Sequence, residues 1–267
     1  TEIYTLSLHD ALPIYFGDEE LIDGVTIDRR RFYERLIESD VLPTTSQATP
    51  AAFVKEFEAV RQAGESAVVI TISAELSGTY QSACIAAADY EDIYVVDSRS
   101  AAIGSGILAE LALEWAADGM AAAELAGLLT KKRDDICLLG LLDTLEYLRR
   151  GGRISRTAAL AGGLLGIKPV VTLENGAVTM IGKARGSKQG NNLLVQKVRE
   201  SGGIDFSLPI LLGYTGLSDA LLQKYVADSA ALWRDHCGSL EQTLLCSVIG
   251  THTGPGVVAV AFFKNGV

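Results

Sequence analysis

The sequence predicts an α/β protein of two domains, with a parallel sheet in the N-terminal domain and an α+β C-terminal domain whose sheet is mixed or antiparallel. Up to about residue 150, short apolar segments alternate with helical segments, which is the pattern of β–α units on a parallel sheet. After Gly151-Gly152 the pattern changes. Asn175-Gly176, placed between two apolar segments, is then the strongest short-range signal for an antiparallel hairpin. The length of 267 residues suits one large domain or two smaller ones.

Helices and strands alternate in the predicted N-terminal domain. The first helix is amphipathic, and its pattern places Phe32, Leu36 and Ile37 on the buried face. The second begins with Thr49 as N-cap and Pro50 at the first helical position. The predicted helices cover residues 28–39, 51–63, 78–88, 103–117, 121–132 and 144–150, and the predicted strands cover residues 67–72, 93–96 and 136–141.

The C-terminal domain is predicted to pair its strands in antiparallel fashion. Its predicted strands cover residues 168–173, 177–181, 209–214, 244–249 and 257–263, and its helices cover residues 191–200 and 217–233. We place the boundary between the domains near residues 145–152. The two domains are therefore expected to span residues 15–147 and 148–267.

The first fourteen residues do not fit the pattern that follows them. Residues 1–14 show no clear hydrophobic period and contain no cap or turn signal. We interpret them as a non-native segment joined to the protein sequence, with an irregular N-terminal arm as the alternative. Neither interpretation gives the segment a function, so His9 is not a candidate site residue.

Composition excludes several classes of protein. Hydrophobic residues make up 48% of the chain and charged residues 21%, which is ordinary for a globular protein and unlike a disordered one. The net charge of −10 argues against nucleic acid as a partner, because neutralising phosphates requires a basic surface. The four cysteines form no CxxC pair and no signal peptide is evident, so we expect reduced thiols and a cytoplasmic location.

Basic residues nevertheless cluster in two places. Such clusters form either a local positive face on an acidic protein or an ordinary solvated surface, and the residues alone do not separate these interpretations. The clusters consist of Arg149, Arg150, Arg153 and Arg156, and of Lys183, Arg185 and Lys188.

Hydroxyl side chains precede two of the predicted helices. Ser77 and Gly78 follow the strand at residues 67–72, and loops at the carboxyl ends of parallel strands line the binding crevice of an open α/β sheet. A hydroxyl and free N–H groups at a helix N-terminus bind anions, although a plain helix cap is the alternative. Thr45 and Ser46 precede the second helix, where Thr49 already serves as the cap. These hydroxyls are therefore candidates for anion binding.

His252 lies in a glycine-rich segment, residues 250–256, which we expect to be a loop between two strands. An imidazole on such a loop is well placed to reach an anionic ligand, although a lone histidine is more often structural or solvated. It has no second histidine or acidic residue at metal-ligand spacing, so we expect no metal site.

Recognisable catalytic motifs are missing from the sequence. The GxGxxA segment from Gly104 to Ala109 is a weak dinucleotide signal, because it does not follow a strand directly, and close packing at a helix start explains it better. A nucleotide-dependent oxidoreductase stays an alternative. No nucleophile elbow, HExxH or Walker motif occurs, so we expect no catalytic residues.

Seven segments together resemble the DegV family, the fatty-acid-binding proteins that serve bacterial fatty acid kinase. The resemblance runs from about residue 15 to the C-terminus, but the family's opening strand and Asp-Ser-Thr loop have no counterpart in residues 1–14. The first strand of the sheet is thus expected to be missing. The segments are PTTSQ at 43–47, ELSGTYQSA at 75–83, VVDSRS at 95–100, LDTLEYLRRGGRIS at 142–155, LLGIKPVVTLENG at 164–176, KARGSKQG at 183–190 and GTHTGPG at 250–256.

The resemblance implies a function and a set of site residues. A long-chain fatty acid would lie between the domains, and the kinase would phosphorylate its carboxylate with ATP, so that the chain itself is a non-catalytic carrier without a cofactor. The implied ligand-binding residues are Thr45, Ser46, Ser77, Gly78, Arg153 and His252. The implied kinase-docking residues are Arg150, Arg156 and Arg185, and Arg153 fits either group.

Other partners stay open at this point. A regulatory binding protein for another anionic lipid or metabolite would use the same kind of pocket. Peripheral contact with a membrane, for lipid exchange, is also compatible with a carrier of fatty acids.

Overall fold

The structure is a computed structural model that describes residues 12–154, 166–236 and 238–265. Its β-strands form three sheets: a small antiparallel sheet, a parallel pair, and a six-stranded mixed sheet. The predicted α/β class, with parallel strands in the N-terminal half and a mixed sheet in the C-terminal half, is confirmed. The domain limits of 15–147 and 148–267 stay a prediction.

The small sheet has the strand order β2-β1-β3 and is covered by the first helix. Ile14 is fully buried and pairs with both Leu21 and Thr45, so the end of the segment interpreted as non-native is part of this sheet. The elements are β1 (Pro13–Phe16), β2 (Glu19–Ile22), α1 (Arg29–Glu38) and β3 (Thr44–Thr45). Residues 1–11 lie outside the described part of the chain.

Helix α1 buries one face, as predicted, but with a different set of residues. Phe32, Tyr33 and Leu36 are buried, whereas the Ile37 side chain is 53% exposed. At 100° per residue the buried arc runs from Phe32 through Leu36 to Tyr33, and Ile37 lies beyond the end of this arc. The prediction that Ile37 points inward was wrong.

The parallel pair consists of β4 (Ala67–Thr71) and β5 (Ile93–Asp97). Helices pack against both faces, α2 (Pro50–Ala63) and α3 (Thr79–Ala87) on one side and α4 (Ala102–Ala117) and α5 (Ala122–Lys132) on the other. The predicted cap of α2 is confirmed, because Thr49 Oγ1 accepts a hydrogen bond from the Ala52 amide at 3.3 Å. Helix α2 ends at Gly64, which adopts a left-handed conformation.

The six-stranded sheet has the order β10-β9-β11-β6-β7-β8, and all its pairs are antiparallel except β9–β10. All six residues of β11 are buried. They alternate between the α4 side and the opposite side, so two cores flank this strand. The strands are β6 (Ile136–Leu141), β7 (Ile167–Glu174), β8 (Ala177–Arg185), β9 (Leu211–Tyr214), β10 (Glu241–Leu244) and β11 (Val258–Phe263). The helices are α6 (Glu146–Arg150), α7 (Gly186–Glu200), α8 (Ala220–Asp228), α9 (Ala230–Trp233) and α10 (Ser247–Thr253).

Two C-terminal predictions need correction. The segment predicted as a strand at residues 244–249 instead ends β10 and begins α10, where the hydroxyls of Thr251 and Thr253 donate to carbonyls four residues back. An apolar segment of this length fits either state, and here the helix forms. The helix predicted at 217–233 is broken at Ser229, whose hydroxyl donates to the Tyr225 carbonyl and accepts from the Trp233 indole.

The predicted hairpin at Asn175-Gly176 is confirmed and contacts the N-terminal half. Both residues have positive φ, 51° and 84°, as the tight turn between β7 and β8 requires. A Cβ on Gly176 would overlap Ser73 Oγ in the loop after β4, so the turn lies directly against that loop. The hairpin therefore covers one side of the space between the parallel pair and the large sheet.

Candidate functional site

A cavity of about 340 Å³ lies between the parallel pair and the six-stranded sheet. Every residue from Ala67 to Ile72 borders it, so the cavity follows β4 along its whole length. The large sheet contributes apolar side chains to the other side, among them Leu138, Val171 and Ala259. The volume falls within the range of small-molecule binding sites.

Helix α4 forms a wall of small side chains. Ala109, Ala112 and Ala116 all border the cavity, and their spacing of three and four residues places them on one face of the helix. Larger residues at these positions would fill the space. The apolar part of the cavity thus exists because α4 presents methyl groups to it.

The polar side chains predicted to bind a ligand lie beyond the carboxyl end of β4, whereas Glu65 and Ser66 border the cavity at the amino end of that strand. Five of the six residues expected to bind a ligand border the cavity: Thr45, Ser46, Ser77, Arg153 and His252. They come from β3 and the residue after it, the loop before α3, the segment after α6, and α10. Chain segments far apart in the sequence therefore meet around one polar end.

Thr45 and His252 are in direct contact. The distance between Thr45 Oγ1 and His252 Nε2 is 2.8 Å, which is a hydrogen bond between residues 207 positions apart. His252 lies in α10 rather than in a loop between strands, so the expected loop position was wrong. The helix holds the imidazole in a defined orientation, because a helical backbone restricts the side-chain rotamers.

The His252 imidazole is neutral at pH 7. Burial, together with the smaller effect of the positive charge of Arg153, lowers its pKa from 6.5 to about 4. Its Nδ1 atom is buried and has no hydrogen-bond partner in the described structure. A Cβ on Gly151 would overlap this atom, so glycine is needed there for the ring to fit.

Arg153 joins the two halves of the molecule beside the cavity. Its Nε donates to the Leu76 carbonyl at 3.1 Å and its Nη1 donates to the Gly151 carbonyl at 2.5 Å. The guanidinium is half-buried and borders the cavity, so it brings a positive charge to the polar end.

The loop before α3 combines a turn with a cavity-lining hydroxyl. Ser77 Oγ lies 2.9 Å from Thr79 Oγ1 and accepts from the Thr79 amide at 3.3 Å. Gly78 does not border the cavity; a Cβ there would overlap the Gln47 side-chain amide. The structure therefore gives Gly78 a packing position, while Ser77 and Thr79 both face the cavity.

The arginines expected to dock a partner lie outside the cavity. Arg149 and Arg150 both pair with Glu146, at 2.6 and 2.5 Å, and these bonds lower the pKa of that carboxyl to about 2. Arg185 is exposed at the end of β8, opposite Ile167 at the start of β7. Arg156 lies outside the described residues.

Three features of the site were not predicted. Gln47 borders the cavity and donates to Ser82 Oγ, although it belonged to a segment already singled out for its hydroxyls. Gly151 accommodates the His252 ring, and the alanine face of α4 forms a wall. Alanine spacing in α4 was the available signal, but this helix is apolar on most of its surface, so no face stood out.

Gly104 has the packing position expected for it. A Cβ there would overlap Ser100 Oγ and lie 3.3 Å from Leu138 Cβ. Within the described ranges, no group of three or more His, Cys, Asp or Glu side chains could hold a metal ion. In the same part of the chain, no helix is both long enough and apolar enough to cross a membrane.

Comparison with known proteins gives one consistent family. The family model described as "Uncharacterised protein, DegV family" matches residues 10–265. A DegV domain-containing protein of Caldanaerobacter subterraneus is 34% identical over 259 residues, which is 94% of this chain and 89% of that protein.

Solved structures share the fold. A DegV family protein from Thermus thermophilus, described by its fatty acid binding, has a TM-score of 0.84 and 27% identity, covering 96% of this chain and 91% of that one. The Streptococcus pneumoniae fatty acid kinase (Fak) B3 protein, loaded with linoleic acid, has a TM-score of 0.81 and 21% identity, covering 96% and 90%. At 21% identity the second likeness concerns the fold alone.

Proposed function

The chain belongs to the DegV family, and we propose that it binds a long-chain fatty acid in the cavity along β4. The carboxylate would lie at the polar end, beside Thr45, Ser77, Arg153 and His252. The observation that carries this proposal is that these four side chains border a cavity lined mainly by apolar side chains along β4. The fatty acid binding described for the Thermus thermophilus protein supports it.

The dimensions of the cavity suit an extended acyl chain. Six residues of extended strand, Ala67 to Ile72, span about 20 Å. Each buried methylene contributes about 0.8 kcal/mol, so a long chain supplies most of the affinity. The alanine face of α4 borders the same cavity.

The polar end supplies what a buried carboxylate requires. Without hydrogen bonds such a group costs several kcal/mol to bury. Ser77 offers a hydroxyl donor, and Arg153 offers a positive charge. Thr45 and the neutral His252 share one hydrogen bond, so the pair has one donor left for a ligand. Because Arg153 already donates to two carbonyl oxygens, we infer that it provides charge without clamping both carboxylate oxygens.

Extraction of the purified protein with organic solvent, followed by mass spectrometry, tests the binding proposal. We expect one equivalent of a long-chain monocarboxylic acid, and rebinding of that acid by the delipidated protein. Recovery of a different anionic lipid or metabolite in its place would favour a regulatory binding protein and contradict fatty acid binding.

We further propose that the chain is a non-catalytic carrier that presents the carboxylate to a fatty acid kinase. A carboxylate oxygen would attack the γ-phosphate of ATP, giving an acyl phosphate and ADP. The polar end lies near an exposed basic surface formed by Arg149 and Arg150, with Arg185 at the same edge of the sheet. An acidic protein needs such a local surface to meet a negatively charged partner.

Charge reversal tests the docking step separately from binding. In Arg150→Glu and Arg185→Glu variants we expect fatty acid to be retained while kinase-dependent acyl phosphate formation falls. Arg61→Glu, at an exposed arginine of α2, is the matched control. Unchanged coupling in the double variant would contradict a docking role for this surface.

A further inference from the structure

The helix that carries His252 is held at both of its ends by the small sheet and the segments next to it. At the C-terminal end, His252 contacts Thr45 of β3. At the N-terminal end, Asp23 Oδ2 accepts from the amides of Ser247 and Val248, at 3.0 and 3.4 Å. Asp23 directly follows β2 and is 1% exposed.

The Asp23 side chain caps the N-terminus of α10 in place of the helix's own N-cap residue. Cys246 is the N-cap residue, and its side chain makes no capping hydrogen bond. A carboxylate at a helix N-terminus satisfies free amides and interacts favourably with the helix dipole. A helix of only seven residues has little stability of its own, so its position depends on such contacts.

We propose that Asp23 is a positioning residue for ligand binding: by fixing the start of α10, it keeps His252 at the cavity's polar end and within reach of Thr45. This inference rests on the proposed function. Asp23 does not border the cavity, and His252 lies five positions after Ser247, a rise of about 8 Å along the helix. Asp23 therefore acts on the ligand through α10 and not by contact.

A matched control separates positioning from general stabilisation. Asp28 is a helix cap of the same kind in the same region, where its Oδ1 accepts from the Arg31 amide at 2.9 Å in α1. Its carboxylate contacts α1 and makes no hydrogen bond to α10. Asp28→Ala thus removes a cap without removing the attachment of the helix that carries His252.

The experiment compares Asp23→Ala, Asp23→Asn and Asp28→Ala in the delipidated full chain, using palmitate as the probe. We expect Asp23→Ala to weaken palmitate binding about tenfold, as the loss of one hydrogen bond to the carboxylate would. Asp23→Asn keeps an acceptor for the amides and should restore most of the affinity. Asp28→Ala should lower the melting temperature and leave the affinity unchanged.

A second readout needs no ligand. The NMR signals of the His252 ring should shift in Asp23→Ala and stay in place in Asp28→Ala. If wild-type protein does not bind palmitate, the proposed function fails, while the ring signals still test the positioning role.

Two results would overturn the inference. One is wild-type affinity and wild-type His252 signals in folded Asp23→Ala; the other is an equal loss of affinity in Asp28→Ala. Should Asp23→Ala not fold, Asp23→Glu moves the buried carboxylate by one methylene, and wild-type affinity there would overturn the inference in the same way.

Discussion

The polar end and the apolar length of the cavity are built in different ways. The apolar length is formed by regular elements, with β4 on one side, strands of the large sheet on the other, and the alanine face of α4 along it. The polar end is assembled from a two-residue strand, two irregular segments and a seven-residue helix, each held by bonds from other parts of the chain. In the proposed function, the first region supplies affinity and the second fixes the orientation of the ligand.

Blocking the apolar length should have the largest effect. In Ala112→Phe the ring takes the place of about five methylenes of the ligand, so palmitate binding should weaken about a thousandfold. Fatty acids short enough to end before residue 112 should lose much less affinity in this variant. Isothermal titration with acids of increasing length measures both.

Ala117→Phe is the control, because Ala117 is exposed on the same helix. It should bind every acid as the wild type does. Equal palmitate affinity in Ala112→Phe and Ala117→Phe would mean that the acyl chain does not pass α4.

Titration of His252 should make the polar end sensitive to acid. Its pKa is about 4 in the folded protein and 6.5 ordinarily, so between these values the unfolded chain binds more protons. The free energy of unfolding should therefore fall as the pH falls from 6.5 to 4, by about 3 kcal/mol from this residue.

Urea unfolding at several pH values, compared between wild type and His252→Gln, isolates this contribution. The variant has no imidazole to titrate, so the difference in stability between the two proteins should change over this interval and level off below it. A constant difference from pH 7 to pH 4 would show that His252 is not buried as a neutral ring.

Removing the hydroxyls of the polar end should have a smaller effect than blocking the apolar length. Each neutral hydrogen bond contributes about 1 kcal/mol, so Thr45→Ala with Ser77→Ala should weaken palmitate binding about thirtyfold. Acyl phosphate formation in the presence of the kinase should fall as well. Thr44→Ala, at the exposed neighbour of Thr45, is the control. Unchanged turnover in the double variant would remove these hydroxyls from the site.

The same comparison explains what the sequence could and could not predict about the fold. Helix α2 was predicted closely because Thr49, Pro50 and the glycine at its end are local signals that act on the backbone directly. The start of α10 was missed because its N-terminal amides are satisfied by Asp23, 224 positions away from Ser247. No local signal marks such a cap.

Prediction of the site residues was also limited by contacts between distant parts of the chain. From the residues alone, Ser77 and Thr45 were candidates for anion binding with helix capping as the alternative, and Ser77 indeed accepts from the Thr79 amide as well as facing the cavity. Their meeting with His252 depends on how β3 pairs with β1 and on how α10 is held. Those are tertiary contacts, which residue patterns do not encode locally.

Two glycines of α4 give the smallest predicted effects and test how this wall is packed. A Cβ on Gly106 would meet only Leu211, at an ordinary 3.5 Å, so Gly106→Ala should raise the free energy of unfolding by about 0.5–1 kcal/mol through helix propensity. A Cβ on Gly104 would overlap Ser100 and press on Leu138, which borders the cavity. Gly104→Ala should therefore lower the free energy of unfolding by about 1 kcal/mol.

Urea unfolding measures both variants, and the opposite signs are the test. A nucleotide-binding role for the GxGxxA segment would require both glycines, so that the backbone can approach a ligand. That role gives no reason for the two alanine variants to change the free energy of unfolding in opposite directions. Equal signs would mean that Gly104 is not a close-packing position. Because Leu138 lies on the cavity side of Gly104, any shift it makes in Gly104→Ala should also weaken palmitate binding, while Gly106→Ala leaves binding unchanged.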